Sequence, residues 1–252
     1  MSKIALITGA TAGIGEACAH TFAREQYNLI LTGRRADRLE KLSAKLSADY
    51  GVEVTTLEFD VRERDVVIEK LESLPSNWKK VDVLINNAGL SQGLDPIQNG
   101  KWSDWETMID TNVKGLLYVS KVVINWMIGN KSGHIINMGS IAGKEIYANG
   151  NVYCASKAAV DFLNKGMRVD LLPYGIRVTA IHPGAVETEF SEVRFHGDKD
   201  RAKKVYDGLE PLVAEDVAET IWFAASRPAH VNINEIVMVP TRQANATTFF
   251  RE

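Results

Sequence analysis

The sequence has few cysteines, no excess of positive charge and no long apolar run. Its two cysteines, Cys18 and Cys154, have neither metal-ligand spacing nor a disulfide framework, which is typical of a protein in a reducing compartment. Lys and Arg number 29 against 32 Asp and Glu, so the global charge does not indicate nucleic acid or an anionic membrane as a partner. No run approaches the roughly 18 apolar residues of a membrane helix.

The sequence also lacks a leader-like start and an internal linker. Residues 1–9, MSKIALITG, enter a strand pattern at once and leave no room for a basic leader, an apolar core and a cleavage site. No Pro-, Gly- or Ser-rich stretch, repeat or low-complexity tract divides the chain. We therefore expect a cytoplasmic protein with a single domain that covers residues 1–252.

Short apolar runs alternate with longer helical patterns along the whole chain. The runs are KIALIT, NLILTG, VEVTTLEF, VDVLIN, HIINMG, IRVTAIH and NEIVMV. The helical patterns cover residues 14–25, 37–49, 62–74, 102–128, 151–172 and 214–225. This alternation predicts an α/β fold, a doubly wound (Rossmann) seven-stranded parallel sheet with helices on both faces and ligands at the carboxyl ends of the strands.

One polar insertion interrupts the alternation. Residues 187–210, ETEFSEVRFHGDKDRAKKVYDGLE, separate the sixth strand pattern from the last helical pattern. A segment of this length is either a mobile substrate lid or a solvated surface excursion, and its residues favour neither.

A glycine-rich segment, GATAGIG at residues 9–15, follows the first strand pattern. Gly9 frees the turn out of the strand, Gly13 allows close approach of a ligand, and Gly15 allows the next helix to lie against the sheet. Such a loop predicts a dinucleotide pyrophosphate at a helix N-terminus. The spacing is Gly-x-x-x-Gly-x-Gly rather than Gly-x-Gly-x-x-Gly, so a plain glycine-rich turn remains the alternative.

The ends of the next three strand patterns bear on the identity of the nucleotide. Arg34 and Arg35 follow the second run with no acid before Asp37, which favours the 2′-phosphate of NADP over the free ribose of NAD. An exposed arginine pair that opens a helix is the alternative. Asp60 is predicted to accept the adenine amino group, to cap the next helix, or to do both. Residues 86–89, NNAG, end the fourth strand beside a cofactor or in a structural turn.

Tyr153 and Lys157 have the spacing of one helical turn. They share one helix face, and an ammonium about 4 Å from the phenol would favour the phenolate by roughly 4 kcal/mol at an effective dielectric near 20. That effect would bring the tyrosine pKa towards neutral pH, where general acid–base catalysis works best. Taken alone, however, such a pair occurs by chance on many helices.

Two further polar residues are candidates for the same chemistry. Ser140 ends the fifth strand pattern 13 residues before Tyr153, where its hydroxyl either bonds a substrate oxygen or serves a turn. Asn112 lies inside a helical pattern, where asparagine is mildly unfavourable. It is therefore either a buried amide that holds a water or kinks the backbone, or a tolerated polar residue.

These motifs together resemble the short-chain dehydrogenase/reductase family over essentially the whole chain. The matching elements are TGATAGIG at 8–15, NNAG at 86–89, Asn112, Ser140, Tyr153 with Lys157, and Pro183 with Gly184. The resemblance implies an NADP-dependent hydride transfer and a homotetramer. In it, Tyr153 exchanges the substrate proton, Ser140 orients the carbonyl, and Lys157 binds the nicotinamide ribose and lowers the tyrosine pKa. Asn112 holds a water in a proton relay.

The resemblance also implies which residues contact the cofactor. The expected set is Gly9, Thr11, Ala12, Gly13, Ile14, Gly15, Arg34, Arg35, Asp60, Val61, Asn87, Ala88, Gly89, Tyr153, Lys157, Pro183, Gly184, Val186 and Thr188. The glycines and small residues of this set would admit the nucleotide, and the arginines would bind its 2′-phosphate. No metal site is expected.

Three segments look like a narrower group, the NADP-dependent 3-hydroxy acid dehydrogenases that act on serine, L-allo-threonine and related acids. These segments are GSIAGKEIYANGNVYCASK, PGAVETEFSEVRF and MVPTRQA. Sulfoacetaldehyde reductases look similar. Residues 144–146, KEI, replace the aromatic or proline residues expected before Tyr147, which leaves the shape of the pocket wall open.

An acid substrate needs a cation or several donors in its pocket. Arg194, flanked by apolar residues in the insertion, is the predicted carboxylate ligand, and a solvent-facing charge is the alternative. The predicted substrate-binding set is Ser140, Tyr147, Tyr153 and Arg194, with Gln92 a weaker candidate. Rival functions are a non-catalytic NADP-binding sensor and an enzyme that catalyses epimerisation or dehydration. The presence of the four catalytic-type residues disfavours the sensor, and the short chain without a substrate domain disfavours the other reactions.

Overall fold

The computed structural model describes residues 2–252 and contains one seven-stranded parallel sheet in the order β3-β2-β1-β4-β5-β6-β7. The strands are β1 (Ile4–Thr8), β2 (Asn28–Gly33), β3 (Val54–Glu58), β4 (Val83–Asn86), β5 (His134–Met138), β6 (Arg177–Pro183) and β7 (Glu235–Met238). The predicted doubly wound fold is thereby confirmed. Because the strand order reverses between β1 and β4, the crevice at their carboxyl ends is where a doubly wound fold binds ligands.

Helices connect the strands in turn. They are α1 (Gly13–Arg24), α2 (Ala36–Tyr50), α3 (Arg64–Glu72), α4 (Trp102–Ile109), α5 (Leu116–Asn130), α6 (Asn151–Leu171), α7 (Phe190–Arg194), α8 (Lys199–Lys204) and α9 (Ala214–Ala225). In the described part of the chain, no helix combines the length and the apolarity needed to cross a membrane.

The strands are apolar because both faces of the sheet are covered. Side chains alternate along a strand, so Ala5 and Ile7 of β1 join one core cluster while Ile4 and Leu6 join the other. All five residues of β1 are buried. Each fully buried leucine or isoleucine contributes about 1.5–3 kcal/mol, and this burial on both faces holds the sheet between its two helical layers.

The helical pattern predicted at 102–128 is divided in the structure. A π-helical turn, Asp110–Gly115, separates α4 from α5. Gly115 allows the chain to pass close to the end of β3, since a Cβ there would come within 2.7 Å of Val61 Cγ2. The Asn112 side chain lies in this turn and is buried, and its role in holding a water stays a prediction.

The insertion at 187–210 folds back onto the body of the protein and contains α7 and α8. The Gly93 N–H donates to the Arg194 carbonyl at 3.0 Å, and His196 Nε2 lies 3.2 Å from Asp104 Oδ2. Near the C-terminus of the chain, the Arg251 guanidinium donates to the carbonyls of Val205 and Asp207, which lie towards the end of the insertion. The insertion is therefore in contact with three parts of the chain that are distant in sequence.

Gly15 marks the closest approach of α1 to the strand ends. A Cβ at this position would overlap the Gly9 carbonyl oxygen and lie 2.5 Å from Asn87 Nδ2. Gly129, near the end of α5, has no atom within 4 Å of such a Cβ. The same substitution, glycine to alanine, can therefore be compared at a crowded position, Gly15, and at an open one, Gly129.

We expect Gly15→Ala to lower the free energy of unfolding by about 1–3 kcal/mol, because the added methyl group forces the glycine-rich loop away from β4. Gly129→Ala should instead raise it by about 0.4–1 kcal/mol, because alanine restricts the unfolded chain. Urea unfolding of both variants measures this. Equal midpoints for the two would contradict the steric role of Gly15.

Candidate active site

A cleft of about 520 Å³ lies at the carboxyl ends of the strands. The residues named from the sequence that line it are Gly9, Thr11, Ala12, Gly13, Ile14, Arg34, Arg35, Asp60, Val61, Asn87, Ala88, Gly89, Ser140, Tyr147, Tyr153, Lys157, Pro183, Gly184, Val186, Thr188 and Arg194. Gly15, Asn112 and Gln92 are not among its lining residues. The volume falls within the range of ligand-binding clefts.

The glycine-rich loop forms one wall of the cleft and turns directly into α1. Gly9 (φ +67°) and Gly13 (φ +54°) adopt the left-handed conformation that favours glycine. Ala12, the residue before α1, supplies no side-chain cap. The first N–H groups of this 12-residue helix are therefore available to an anion, and the helix dipole favours one there. The loop fits a dinucleotide pyrophosphate.

Arg35 and Arg38 converge on this loop from the start of α2. Arg35 donates from Nε and Nη2 to the Thr11 hydroxyl, at 3.1 and 2.9 Å. Glu189 of the insertion bridges the two guanidiniums, with its carboxylate 3.0 Å from Arg35 Nη1 and 2.8 Å from Arg38 Nη1. The sequence reasoning named Arg34 and Arg35 but missed Arg38, although a third arginine one helical turn beyond Arg34 was a readable signal.

The Asp60 carboxylate forms an ion pair with an arginine and does not cap a helix. Its carboxylate accepts the Arg62 backbone N–H at 3.0 Å and the Arg62 guanidinium at 2.7–3.1 Å. Burial raises the pKa of this carboxyl group, but the Arg62 contacts outweigh burial and hold the pKa below its usual value. The proposed helix cap is wrong, because α3 begins only at Arg64 and is preceded by Glu63.

Asn87 joins the ends of β4 and β1. Its Nδ2 donates to the carbonyls of Thr8 and Gly9, at 2.9 and 3.2 Å. The Thr8 hydroxyl in return accepts the backbone N–H groups of Asn87 and Ala88, each at 3.0 Å. These bonds fix the floor of the cleft at the point where the strand order reverses.

Tyr153, Lys157 and Ser140 all line the cleft. The sequence predicted that Lys157 lowers the pKa of Tyr153, and the structure differs on this point. Burial raises the pKa of the Tyr153 phenol, and the groups that oppose burial are the Arg194 guanidinium and the Ser140 side chain. Lys157 is not among these influences. Its ammonium donates to the Met138 carbonyl at 2.8 Å, so the cation that acts on the phenol in this structure is Arg194.

Lys157 is almost completely buried, with 6% of its surface exposed. Burial lowers the pKa of its ammonium group to about 8. At neutral pH the group therefore stays charged inside the protein, where it contacts the Met138 carbonyl. A buried cation costs folding free energy, because water solvates the ammonium better in the unfolded chain.

Asn112 holds the segment after β4. Its Oδ1 accepts the Leu90 N–H and its Nδ2 donates to the Leu90 carbonyl, both at 2.8 Å. Nδ2 also donates to the Ser156 hydroxyl at 2.9 Å. An amide oxygen has two lone pairs, so one acceptor position remains for a water or another donor.

Arg194 lies among three aromatic rings. Its guanidinium carbon is 5.2 Å from the centre of the Phe190 ring, 5.3 Å from Tyr153 and 5.9 Å from Tyr147. Nη2 donates to the Tyr147 hydroxyl at 3.1 Å. Its Nε is buried and has no hydrogen-bond partner within residues 2–252. Because Arg194 also lines the cleft, this arrangement places a cation beside the Tyr153 phenol.

The unusual residues before Tyr147 face away from the cleft. Lys144 contacts the carboxylates of Asp161 and Glu235, and neither it nor its next two neighbours lines the cleft. Potential metal ligands of Asp161, His182 and Glu235 lie within 4.8 Å of one another. Lys165 also pairs with Asp161, at 2.8 Å, so two ammonium groups balance the two carboxylates and this cluster is a salt-bridge network.

The buried lysine leads to a stability prediction. Replacing Lys157 with Met should raise the free energy of unfolding at pH 7 by about 1–2 kcal/mol, because the cost of burying the ammonium, about 3 kcal/mol, exceeds that of losing its hydrogen bond. Below about pH 8 the full cost applies. It falls as the pH rises above about 8 and disappears above the pKa of an exposed lysine, where the folded and unfolded chains are both uncharged at this group.

Urea unfolding of the wild type and Lys157→Met at pH 7 and at pH 10 measures this difference. The advantage of the variant should shrink at the higher pH. Lys121→Met, at an exposed position on α5, is the control and should show no such pH dependence. A Lys157→Met variant less stable than the wild type at pH 7 would contradict the prediction.

Comparison with known proteins assigns the chain to one family. A short chain dehydrogenase family model matches residues 3–199. NADP-dependent 3-hydroxy acid dehydrogenase YdfG of Salmonella typhi is 48% identical over 244 residues, or 96% of this chain and 97% of that protein. Sulfoacetaldehyde reductase 2 of Chromohalobacter salexigens is 46% identical over 245 residues, or 97% and 96%.

A solved structure, the closed form of serine dehydrogenase complexed with NADP+, has a TM-score of 0.92 to this chain at 45% identity and covers 99% of each chain. The match therefore extends through the insertion and the C-terminal segment as well as the sheet. The resemblance drawn from the motifs is confirmed: the chain belongs to the short-chain dehydrogenase family of oxidoreductases.

Proposed function

We propose that this chain is an NADP-dependent oxidoreductase that interconverts a small 3-hydroxy acid, of the serine, L-allo-threonine or 3-hydroxypropanoate type, and its carbonyl form. The observation that carries the proposal is the Arg194 guanidinium, held over the Tyr153 ring with an unpartnered, buried Nε in the described chain. A guanidinium beside a phenol suits a substrate that has both a hydroxyl and an acid group.

The cofactor assignment rests on the arginines and the glycine-rich loop. Arg34 and Arg35 follow β2, and Arg38 lies in the first turn of α2; in this region a guanidinium suits a 2′-phosphate. The N-terminus of α1 suits the pyrophosphate, and the relatives named for NADP share nearly the whole chain. NADP, when bound, supplies or accepts the hydride; the protein positions the substrate and manages the proton.

Tyr153 is the proposed proton carrier. In the direction of reduction its O–H donates to the carbonyl oxygen, and in oxidation the phenolate accepts the alcohol proton. Burial favours the protonated phenol, while the Arg194 guanidinium and the Ser140 side chain favour the phenolate. Burial is the largest of these influences and the pKa is raised, so the phenol is protonated at neutral pH, the form that reduction requires. Ser140 is proposed to orient the carbonyl, and Lys157 to bind the nicotinamide ribose.

Asn112 is proposed to act in the proton relay through a water on its remaining acceptor position. Its three hydrogen bonds to Leu90 and Ser156 hold the amide still, so that position has a fixed direction. Tyr147 is proposed to line the substrate end, because its hydroxyl accepts a hydrogen bond from Arg194.

Arg194 does not by itself distinguish a carboxylate from a sulfonate, since both are oxyanions that accept guanidinium N–H groups. The sulfoacetaldehyde reductase relative makes a sulfonated aldehyde the second candidate substrate. A panel that pairs each acid with an uncharged aldehyde of similar size therefore tests the anion site and the substrate together.

The homotetramer and the lid stay predictions. Large apolar side chains are exposed on α4 and α6: Trp102 is 76% exposed, Phe162 72% and Val169 71%. Contact with further copies of the chain would bury them. Movement of residues 187–210 would open the cleft, because α7 carries both Phe190 and Arg194 onto it.

The proton role predicts that Tyr153→Phe lowers kcat by about 10²–10⁴-fold while NADPH binding, followed by fluorescence, stays within about twofold of wild type. Loss of the hydroxyl removes the proton carrier but keeps the ring beneath Arg194. Tyr118→Phe on α5, outside the cleft, is the control and should keep full activity. A Tyr153→Phe enzyme with wild-type turnover would leave only a nucleotide-binding scaffold.

The anion site predicts that Arg194→Met raises KM for 3-hydroxypropanoate by about 10- to 100-fold, the effect of losing a charge-assisted hydrogen bond. The KM for propanal, which lacks the acid group, should change less than about twofold. Steady-state kinetics on both substrates, and on sulfoacetaldehyde, measure this. An equal loss on the charged and uncharged substrates would show that Arg194 does not bind the acid group.

A further inference from the structure

Glu189 is the one carboxylate of the described chain that ion-pairs with both Arg35 and Arg38. It lies in the insertion immediately before α7, and its two oxygens accept from Arg38 Nη1 at 2.8 Å and from Arg35 Nη1 at 3.0 Å. The residues in contact are 151 and 154 positions apart in sequence. A charged bridge therefore connects the start of the insertion to the start of α2.

The donors in this bridge are the ones that a phosphate group would use. Arg35 Nε and Nη2 donate to Thr11. Its remaining nitrogen, Nη1, is the donor left for an anion, and in this structure it donates to Glu189. The Arg38 Nη1 bond to the Thr11 carbonyl is long, at 3.4 Å, compared with its 2.8 Å bond to Glu189. Carboxylate and phosphate oxygens bind guanidinium N–H groups in the same way.

We propose that Glu189 is an internal competitor for the 2′-phosphate site: as a latch it holds the insertion onto Arg35 and Arg38 when no cofactor is bound, and the 2′-phosphate of the cofactor displaces its carboxylate from the two arginines. This inference rests on the proposed NADP dependence. A cofactor without the 2′-phosphate leaves the carboxylate on the arginine pair, so Glu189 lowers the affinity for the phosphorylated cofactor alone. Binding of the phosphate and release of the Glu189 carboxylate are then one exchange of anions on the same two guanidiniums.

The strength of the bridge suits an exchangeable contact. The side chains of Glu189, Arg35 and Arg38 are 40–45% exposed, and ion pairs at such exposure are weak. Hydrogen bonds from Arg38 and Arg35 lower the pKa of the Glu189 carboxyl group, so it is ionised at neutral pH. Because the two anions compete for the same guanidiniums, removal of the carboxylate tightens binding of the phosphate.

The test uses two cofactor fragments that differ in the phosphate alone, 2′,5′-ADP and 5′-ADP, with binding measured by calorimetry on the full chain. Glu189→Gln keeps the size of the side chain and removes its charge. We expect this variant to bind 2′,5′-ADP about three- to tenfold more tightly than wild type. Its affinity for 5′-ADP should be unchanged.

Glu192→Gln is the matched control. It removes the same charge from the same insertion, at a side chain that makes no hydrogen bond or ion pair within residues 2–252. Its affinity for both fragments should stay within about twofold of wild type. A general effect of net charge would instead move both variants together, and that result would overturn the proposal.

The latch also has a readout that needs no ligand. Amide hydrogen exchange at residues 187–195 should be faster in Glu189→Gln than in wild type, and unchanged in Glu192→Gln. Equal exchange in all three proteins would overturn the latch.

Weaker binding of 2′,5′-ADP by Glu189→Gln would also overturn the proposal, because it would make Glu189 a contributor to the phosphate site. The proposed function fails in a different way: the wild type would then not prefer 2′,5′-ADP over 5′-ADP at all. That outcome would remove the NADP assignment together with the exchange of anions.

Discussion

The joint between the ends of β1 and β4 is the constraint on which the site depends. Asn87 and Thr8 exchange hydrogen bonds there through both backbone and side chain. The joint holds the two strands together where the sheet order reverses, and a reversal leaves a crevice because the two connecting chains depart to opposite faces. The glycine-rich loop, the N-terminus of α1 and the segment fixed by Asn112 are all placed by this joint.

The cleft built on that joint buries groups that would be more stable in water. Lys157 and Tyr153 are both buried, and Arg194 has a buried Nε without a partner in the described chain. Such groups lower stability, and the apolar clusters on both faces of the sheet offset the loss. Low polarity around the phenol strengthens every charge that acts on it, so the same burial that costs stability makes the Tyr153 pKa responsive to its neighbours.

The insertion connects the two ends of the cleft through one short helix. Glu189 precedes α7 and contacts the arginines of the nucleotide end, whereas Arg194 closes α7 and lies over Tyr153 at the substrate end. A helix of five residues is about 7.5 Å long. Glu189 and Arg194 therefore lie at the two ends of one short element, so a displacement at one end has a direct mechanical route to the other.

The sequence by itself determined the sheet, the glycine-rich loop and the one-turn spacing of Tyr153 and Lys157. These features are local, because strand and helix periodicity and turn residues are properties of neighbouring positions. The order of motifs also gave the family, since the same motifs recur at the same spacing in its members.

Only the tertiary structure decided which charges meet. The Glu189 bridge to Arg35 and Arg38 joins segments more than 150 residues apart, and no pattern in either segment indicates the other. Lys157 could be placed on the same helix face as Tyr153, but its ammonium bonds the Met138 carbonyl while Arg194, from the insertion, acts on the phenol. The direction of a long side chain depends on the partners that folding brings within its reach, and those partners come from elsewhere in the chain.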